Sequence, residues 1–201
     1  MEKPIRILLL NGSVRPNNYT AMASALVADE LRKHPKVNLE VINLGELKLD
    51  PPGINPQSPD AKRLQNAVTG ATAIVFATPE YHGSFSSVVK LAIENLGFPS
   101  VLAGKPIALL GVAAGTIGAI KSLEHLRGVL AHVGAIVLPL LTSVPNVQRV
   151  FDGEGRLLEP KLEPVIRGVA TQLMQYVEHT VCPRVTLEAL LRGEAVGAHS
   201  R

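Results

Sequence analysis

The chain has 201 residues, 46% of them apolar and 18% charged, which suits one domain with a sizeable core and excludes a disordered protein. The net charge of +3 comes from scattered Lys and Arg with few aromatics beside them, so no nucleic-acid partner is expected. No apolar run reaches the roughly 18 residues of a membrane span. Met1-Glu2-Lys3-Pro4 lacks the layout of a secretory signal, and the single cysteine, Cys182, excludes an internal disulfide framework; a cytoplasmic protein with no membrane partner is expected.

The apolar run 5–10 has the pattern of a parallel strand buried on both faces, and it leads straight into Asn11-Gly12-Ser13-Val14-Arg15. Thr20 is placed to cap a helix over 21–33, followed by a strand over 39–44. The proline-rich stretch 50–59 reads as a loop, and a helix over 60–68 leads to a third strand over 73–78. The turn 79–84 precedes a helix over 87–96, and Pro106 opens a fourth strand over 107–112. A glycine-containing turn over 114–118, a helix to about 133 and a fifth strand over 135–138 follow. Asp152-Gly153-Glu154-Gly155 reads as a tight turn in a small insert, and the last helix spans 162–181. The domain is set at 1–182; the tail 183–201 is weakly amphipathic, either disordered or an arm on a neighbouring subunit.

Strictly alternating strands and helices predict an α/β fold, a five-stranded parallel sheet in the order 2-1-3-4-5 with helices on both faces. In that order the turns after strands one, three and four converge at the carboxyl edge, where open α/β sheets bind ligands. His125 and His132 lie two turns apart on one helix with no cysteine near them, which favours solvated or core histidines over a metal site.

The first turn carries Ser13, Arg15, Asn17, Asn18, Tyr19 and Thr20 ahead of a helix, a set that suits a phosphate or an ordinary strand-to-helix loop. Neither G-x-G-x-x-G after the first strand nor G-x-x-x-x-G-K-[ST] is present, and the second strand ends Asn43-Leu44 without an acidic residue for an adenine ribose. A tightly bound dinucleotide and a P-loop ATPase are thereby disfavoured. The second turn joins Tyr81 to Gly83 and Ser84, a place for a flat ring or for a half-buried packing tyrosine. The third, Gly115 to Gly118, opens another helix whose N–H groups suit an anionic ring edge or merely let helix and sheet pack closely.

With these loops the chain resembles the NAD(P)H-dependent FMN reductase family, the flavodoxin-like quinone, chromate and azo-dye reductases, over roughly residues 5–180. The resemblance rests on Gly12-Ser13-Val14-Arg15, on Thr78-Pro79-Glu80-Tyr81-His82-Gly83-Ser84, and on Gly115 and Gly118. It implies FMN phosphate on Ser13, Arg15, Asn18, Tyr19 and Thr20, and the isoalloxazine against Pro79, Glu80, Tyr81, His82 and Gly83, with Ser84 closing the motif and Gly115 near the pyrimidine edge. Asn17-Asn18 stands where relatives usually carry Gly-Ser, and His82 where Asn is common. The implied chemistry is ping-pong hydride transfer from NADPH or NADH to the flavin N5 and on to a quinone, free flavin, chromate or azo compound, with no catalytic side chain.

The resemblance also implies a homodimer or homotetramer. Val88, Val89, Ala92 and Ile93 are candidates for either the core or a subunit contact. Two other readings stand beside the reductase: an electron carrier or FMN redox sensor without NAD(P)H turnover, which the slightly basic charge disfavours, and a phosphate-binding α/β protein without flavin.

Overall fold

The computed structural model describes residues 4–192; the part of the tail over 193–201 lies outside the described residues. The strands β1 (Ile5–Asn11), β3 (Ala73–Tyr81) and β5 (Pro106–Val112) are apolar at nearly every position and form the middle of a parallel sheet ordered β2-β1-β3-β5-β6. The edges are β2 (Val37–Asn43) and β6 (Ile136–Val144). The five parallel strands follow the expected order; a sixth strand of two residues, β4 (Ser84–Phe85), pairs antiparallel with the end of β3.

Strand alternation splits the core into two layers. Ile7, Leu9, Val75, Ala77, Ala108 and Leu110 face α1 (Tyr19–Arg32) and α6 (Glu163–Tyr176), meeting Val27, Leu31, Val169 and Leu173. Leu8, Leu10, Ile74, Phe76 and Leu109 face α2 (Pro59–Gly70), α3 (Ser87–Glu94) and α4 (Ile120–His132), meeting Leu64, Val68, Leu123 and Leu126. Val89, Ala92 and Ile93 belong to this second layer and Val88 packs against it, so α3 turns its apolar face to the core rather than to another subunit.

Among the boundaries that differ from the sequence expectation, four do so for a clear local reason. The helix α1 starts at Tyr19, and its cap is Asn18, whose Oδ1 accepts the Ala21 N–H at 2.8 Å; Thr20 is buried in the first turn and does not cap. The strand β3 runs three residues beyond Thr78 because the motif itself forms a hairpin with β4. The edge strand β6 continues past Leu138 through a bulge: Ile107 pairs with Val137, but Leu109 already pairs with Leu141. Pro139 lies in that bulge, where its missing N–H costs no ladder bond.

The last helix does not end before Pro183. A π-helical turn over Val177–Val181 carries it into α7 (Cys182–Leu191), with the Cys182 N–H reaching back to the Val177 carbonyl. Proline cannot donate to the carbonyl four residues earlier and clashes with it, and the wider turn accommodates both defects.

One ion-pair cluster ties the two helices of the first layer together. From α6, Arg167 Nη1 donates to Asp29 Oδ2 at 2.5 Å and to Glu30 Oε2 and the Leu26 carbonyl of α1, both at 3.3 Å. Its Nε donates to Glu163 at 2.9 Å. The hydrogen bond from Arg167 holds the Asp29 carboxyl below its ordinary value of 3.8. Glu30 is held below 4.5 by its hydrogen bond from Lys33, with Arg167 adding to the effect. Lowered folded-state values mean stability that is present above the ordinary carboxylate range and lost as pH falls through the folded values. Arg167→Met should therefore lower the melting temperature at pH 7, with the difference from the parent shrinking markedly by pH 3 in thermal unfolding followed by circular dichroism. An undiminished difference at pH 3 would rule out an electrostatic clamp.

Candidate functional site

At the carboxyl edge of the sheet, the ends of β1 and β3 set the first two loops relative to each other. The Gly12 N–H donates to the Ala77 carbonyl at 2.8 Å, and the buried Ser86 hydroxyl donates to the Gly12 carbonyl at 2.6 Å. A Cβ on Gly12 would lie 2.4 Å from Val89 Cγ2 and 2.8 Å from the Ala77 oxygen, so no side chain fits. The Ser86 N–H in turn donates to the Thr78 hydroxyl at 3.2 Å. The sequence reading missed Ser86 and Thr78 as positioning residues. Ser86 stands just ahead of α3 and resembles an ordinary cap, yet its hydroxyl serves the neighbouring loop and makes no cap bond.

Beyond Gly12 the first loop, 12–18, is turned outward. Ser13 is nearly buried and its hydroxyl has no partner among the described residues, and neither do the N–H groups of Ser13, Val14 and Arg15. Asn17 adopts a left-handed φ of 49°, which brings Asn18 to the helix end. The Asn18 amide is largely engaged: Oδ1 caps α1, and Nδ2 donates to the Arg15 carbonyl at 2.7 Å. Tyr19 and Thr20 contribute free N–H groups of the first turn, while the Tyr19 ring packs against the first core layer. Arg15 pairs with no carboxylate among the described residues; its guanidinium lies 5.1 Å from the centroid of the Tyr81 ring, joining the first loop to the second.

A second polar chain lies beside the first loop. Asn43 Nδ2 donates to Glu46 Oε1 at 2.8 Å, which orients its Oδ1 to accept from Asn11 Nδ2 at 3.3 Å. Asn11 Oδ1 is left buried without a partner among the described residues.

The second loop is a hairpin with Tyr81 and Ser84 paired and only His82 and Gly83 between them. Both take left-handed φ, 51° and 76°, as a two-residue turn of this hand requires. Histidine tolerates that region better than a β-branched residue does, so His82 in place of the expected Asn leaves the turn intact. Pro79 is buried, Tyr81, Gly83 and Ser84 are half-buried, and His82 is exposed at the apex. The Glu80 carboxylate accepts the Ser122 N–H at 3.1 Å and so caps α4 from outside, and His125 Nδ1 lies 3.4 Å from the Ser84 hydroxyl. The hairpin and the first turns of α4 are thus one unit.

The third loop is braced from behind and open in front. The Gly118 N–H donates to the Gly115 carbonyl, the Ala119 N–H to the Ser143 hydroxyl at 2.8 Å, and the Asn146 N–H to the Gly115 carbonyl. A Cβ on Gly115 would meet nothing within 4 Å. The exposed N–H groups of Gly115, Thr116 and Ile117 have no partner among the described residues. Ala119 and Ser122 are already satisfied, so the donors open to a ligand are those of the loop and the Ile120 and Lys121 N–H groups of the first turn of α4.

The crevice therefore offers unpaired N–H groups, a hydroxyl and a guanidinium at one end, a tyrosine edge in the middle, and three free N–H groups at the other end. That donor set suits a phosphate monoester joined to a flat ring with acceptor atoms on its edge, which are the requirements of FMN. Comparison with known proteins agrees. The family model for NADPH-dependent FMN reductase matches residues 5–148. The chain is 29% identical over 184 residues to an NAD(P)H-dependent FMN reductase of Pseudomonas aeruginosa, covering 88% of this chain and 97% of that one. It is 29% identical over 174 residues to an NADPH azoreductase of a Bacillus species, covering 86% and 93%. Among solved structures, the NAD(P)H:(acceptor) oxidoreductase FerB of Paracoccus denitrificans superposes with a TM-score of 0.73 at 20% identity over 86% of this chain and 97% of that one, a likeness of fold. The chain belongs to the NADPH-dependent FMN reductase family.

Proposed function

We propose that this FMN-dependent NAD(P)H oxidoreductase holds the FMN phosphate with Ser13, Arg15 and the N–H groups around Asn18, Tyr19 and Thr20, and the ring between Pro79-Glu80-Tyr81-His82-Gly83-Ser84 and Gly115. The observation that carries this reading is the row of unpaired donors on the first loop, tied through Arg15 to Tyr81. Bound FMN supplies the chemistry, accepting a hydride from NADPH or NADH and releasing electrons to a second substrate.

The protein's own residues bind and orient. Ser13 and Arg15 meet the phosphate charge, Tyr81 and Pro79 present backbone and an apolar edge to the ring, and the Gly115–Ile117 N–H groups stabilise negative charge that develops at the facing ring edge. Glu80 contributes by fixing the hairpin to α4 rather than by proton transfer, since its carboxylate already accepts the Ser122 N–H. Asn18 serves first as the cap of α1 and offers an anion its backbone N–H.

The proposed second substrates are small, flat or oxyanionic acceptors: quinones, free flavin, chromate and azo compounds. Two relatives named as an FMN reductase and an azoreductase support that range. The proposed compartment is the cytoplasm. No helix among the described residues is long and apolar enough to cross a membrane, which is compatible with it.

The proposed assembly is a homodimer or homotetramer. Its support is the patch around Phe98, 96% exposed, and Ile54, 70% exposed, beside a surface cavity of about 320 Å³ lined by Pro52, Pro56, Leu96 and Pro99.

Two measurements test these assignments. The Ser13→Ala/Arg15→Ala double variant should bind FMN at least about a hundredfold more weakly, because hydrogen bonds to a charged group are worth roughly 1.5–3 kcal/mol each and two are removed. Quenching of flavin fluorescence reads the affinity, and an unchanged value removes both residues from the site. Phe98→Asp should shift the protein to monomer in sedimentation velocity at micromolar concentration; a parent chain that is itself monomeric there overturns the assembly.

A further inference from the structure

We propose that Lys121, on the first turn of α4, determines the choice of electron donor by binding the 2′-phosphate of NADPH. This rests on the ring site proposed above. The position follows from Gly83: a Cβ there would lie 3.7 Å from Lys121 Cδ, so the lysine stem lies against the hairpin apex. Lys121 forms no ion pair among the described residues. Glu80, which accepts the Ser122 N–H one residue further along the helix, makes no ion pair with Lys121 among the described residues. Glu124 stands three residues on, on the exposed side of α4, and makes no pair with Lys121 either.

Other basic residues stand on the same rim. His125 reaches Ser84 from the next turn of α4, His82 is exposed at the apex, and Arg15 approaches Tyr81 from the opposite side. The hairpin that faces the ring is thus flanked by Lys121 and Arg15, and the half-buried Glu80 beside it accepts the Ser122 N–H.

A nicotinamide donor must stack on the open side of the ring, and the remainder of the molecule then leaves the crevice across one rim. The rim formed by the first loop is the place of the FMN phosphate. Of the two rims that remain, the third loop over 114–118 carries no cation, whereas on the rim of the hairpin and α4 an unpaired ammonium meets a group of charge near −2 in NADPH that NADH lacks. Lysine suits this task because a flexible stem can follow a phosphate that is not fixed in one geometry.

The test uses the FMN-loaded protein and its Lys121→Gln and Lys121→Arg variants. Calorimetric titration with 2′,5′-ADP and with 5′-AMP reads the phosphate contact without turnover. The ratio of the two affinities should fall about tenfold in Lys121→Gln and be largely restored in Lys121→Arg, the loss expected for one partly screened ion pair to a dianion. The kcat/KM ratio of NADPH to NADH should fall by the same factor. An affinity ratio that does not change, or equal losses for the two donors, overturns the assignment. So does loss of FMN from Lys121→Gln, which would make the lysine a cofactor-retaining group. Failure of the proposed FMN placement would show separately, as unchanged FMN affinity in the Ser13→Ala/Arg15→Ala protein.

Discussion

The contact on which the carboxyl edge depends is the close approach of β1 and β3 at Gly12. The Ala77 oxygen, Val89 and the Ser86 hydroxyl occupy the space where any side chain on residue 12 would be. Both backbone polar groups of Gly12 are used there, one on β3 and one on the residue that opens α3. The first loop therefore leaves the sheet in one direction, and the second loop, grown from the same β3, is held at a fixed distance from it. A phosphate cradle and a ring slot must lie a set length apart to suit one ligand, and this clasp sets that length.

Around the clasp, polar groups divide into two sets. Those that brace the loops from within are satisfied, apart from Asn11 Oδ1: Ser86, Thr78, the amide of Asn18, the carboxylate of Glu80 and the hydroxyl of Ser143. Those on the rim are left open: the Ser13 hydroxyl, the Arg15 guanidinium and the loop N–H groups before α1 and α4. The first set holds the backbone in place before any ligand arrives, so a ligand entering the crevice need not meet the entropy of ordering its own site. Glu80 is the sharpest case. It is a charged residue in the most specific motif of the chain, yet its contact is with a helix end.

Much of this was legible in the sequence because burial on both faces leaves an unmistakable apolar run. The five parallel strands, their order and the convergence of three loops follow from 5–10, 73–78, 107–112 and the helices between them. What was not legible depends on distance rather than pattern. Asn18 and Thr20 are both good caps, and the left-handed turn at Asn17 decides between them. Pro139 and Pro183 look like stops, and each is instead absorbed, one by a bulge at a sheet edge and one by a widened helical turn. The motif 78–84 carries the family resemblance, but nothing in its letters says that it is a hairpin continuing the central strand. Lys121 had no signal at all, being one lysine among scattered charges until the hairpin folds beside it.

The bulge at Pro139 has a wider consequence. A parallel sheet with an open edge invites a strand from another molecule, and sheets that accept one such guest can go on accepting them. On β6 the ladder changes register at the bulge and the proline offers no hydrogen, so an incoming strand finds two short, mismatched stretches instead of one continuous rail. Open-ended growth through that border is obstructed by the backbone itself, without a charged side chain standing guard.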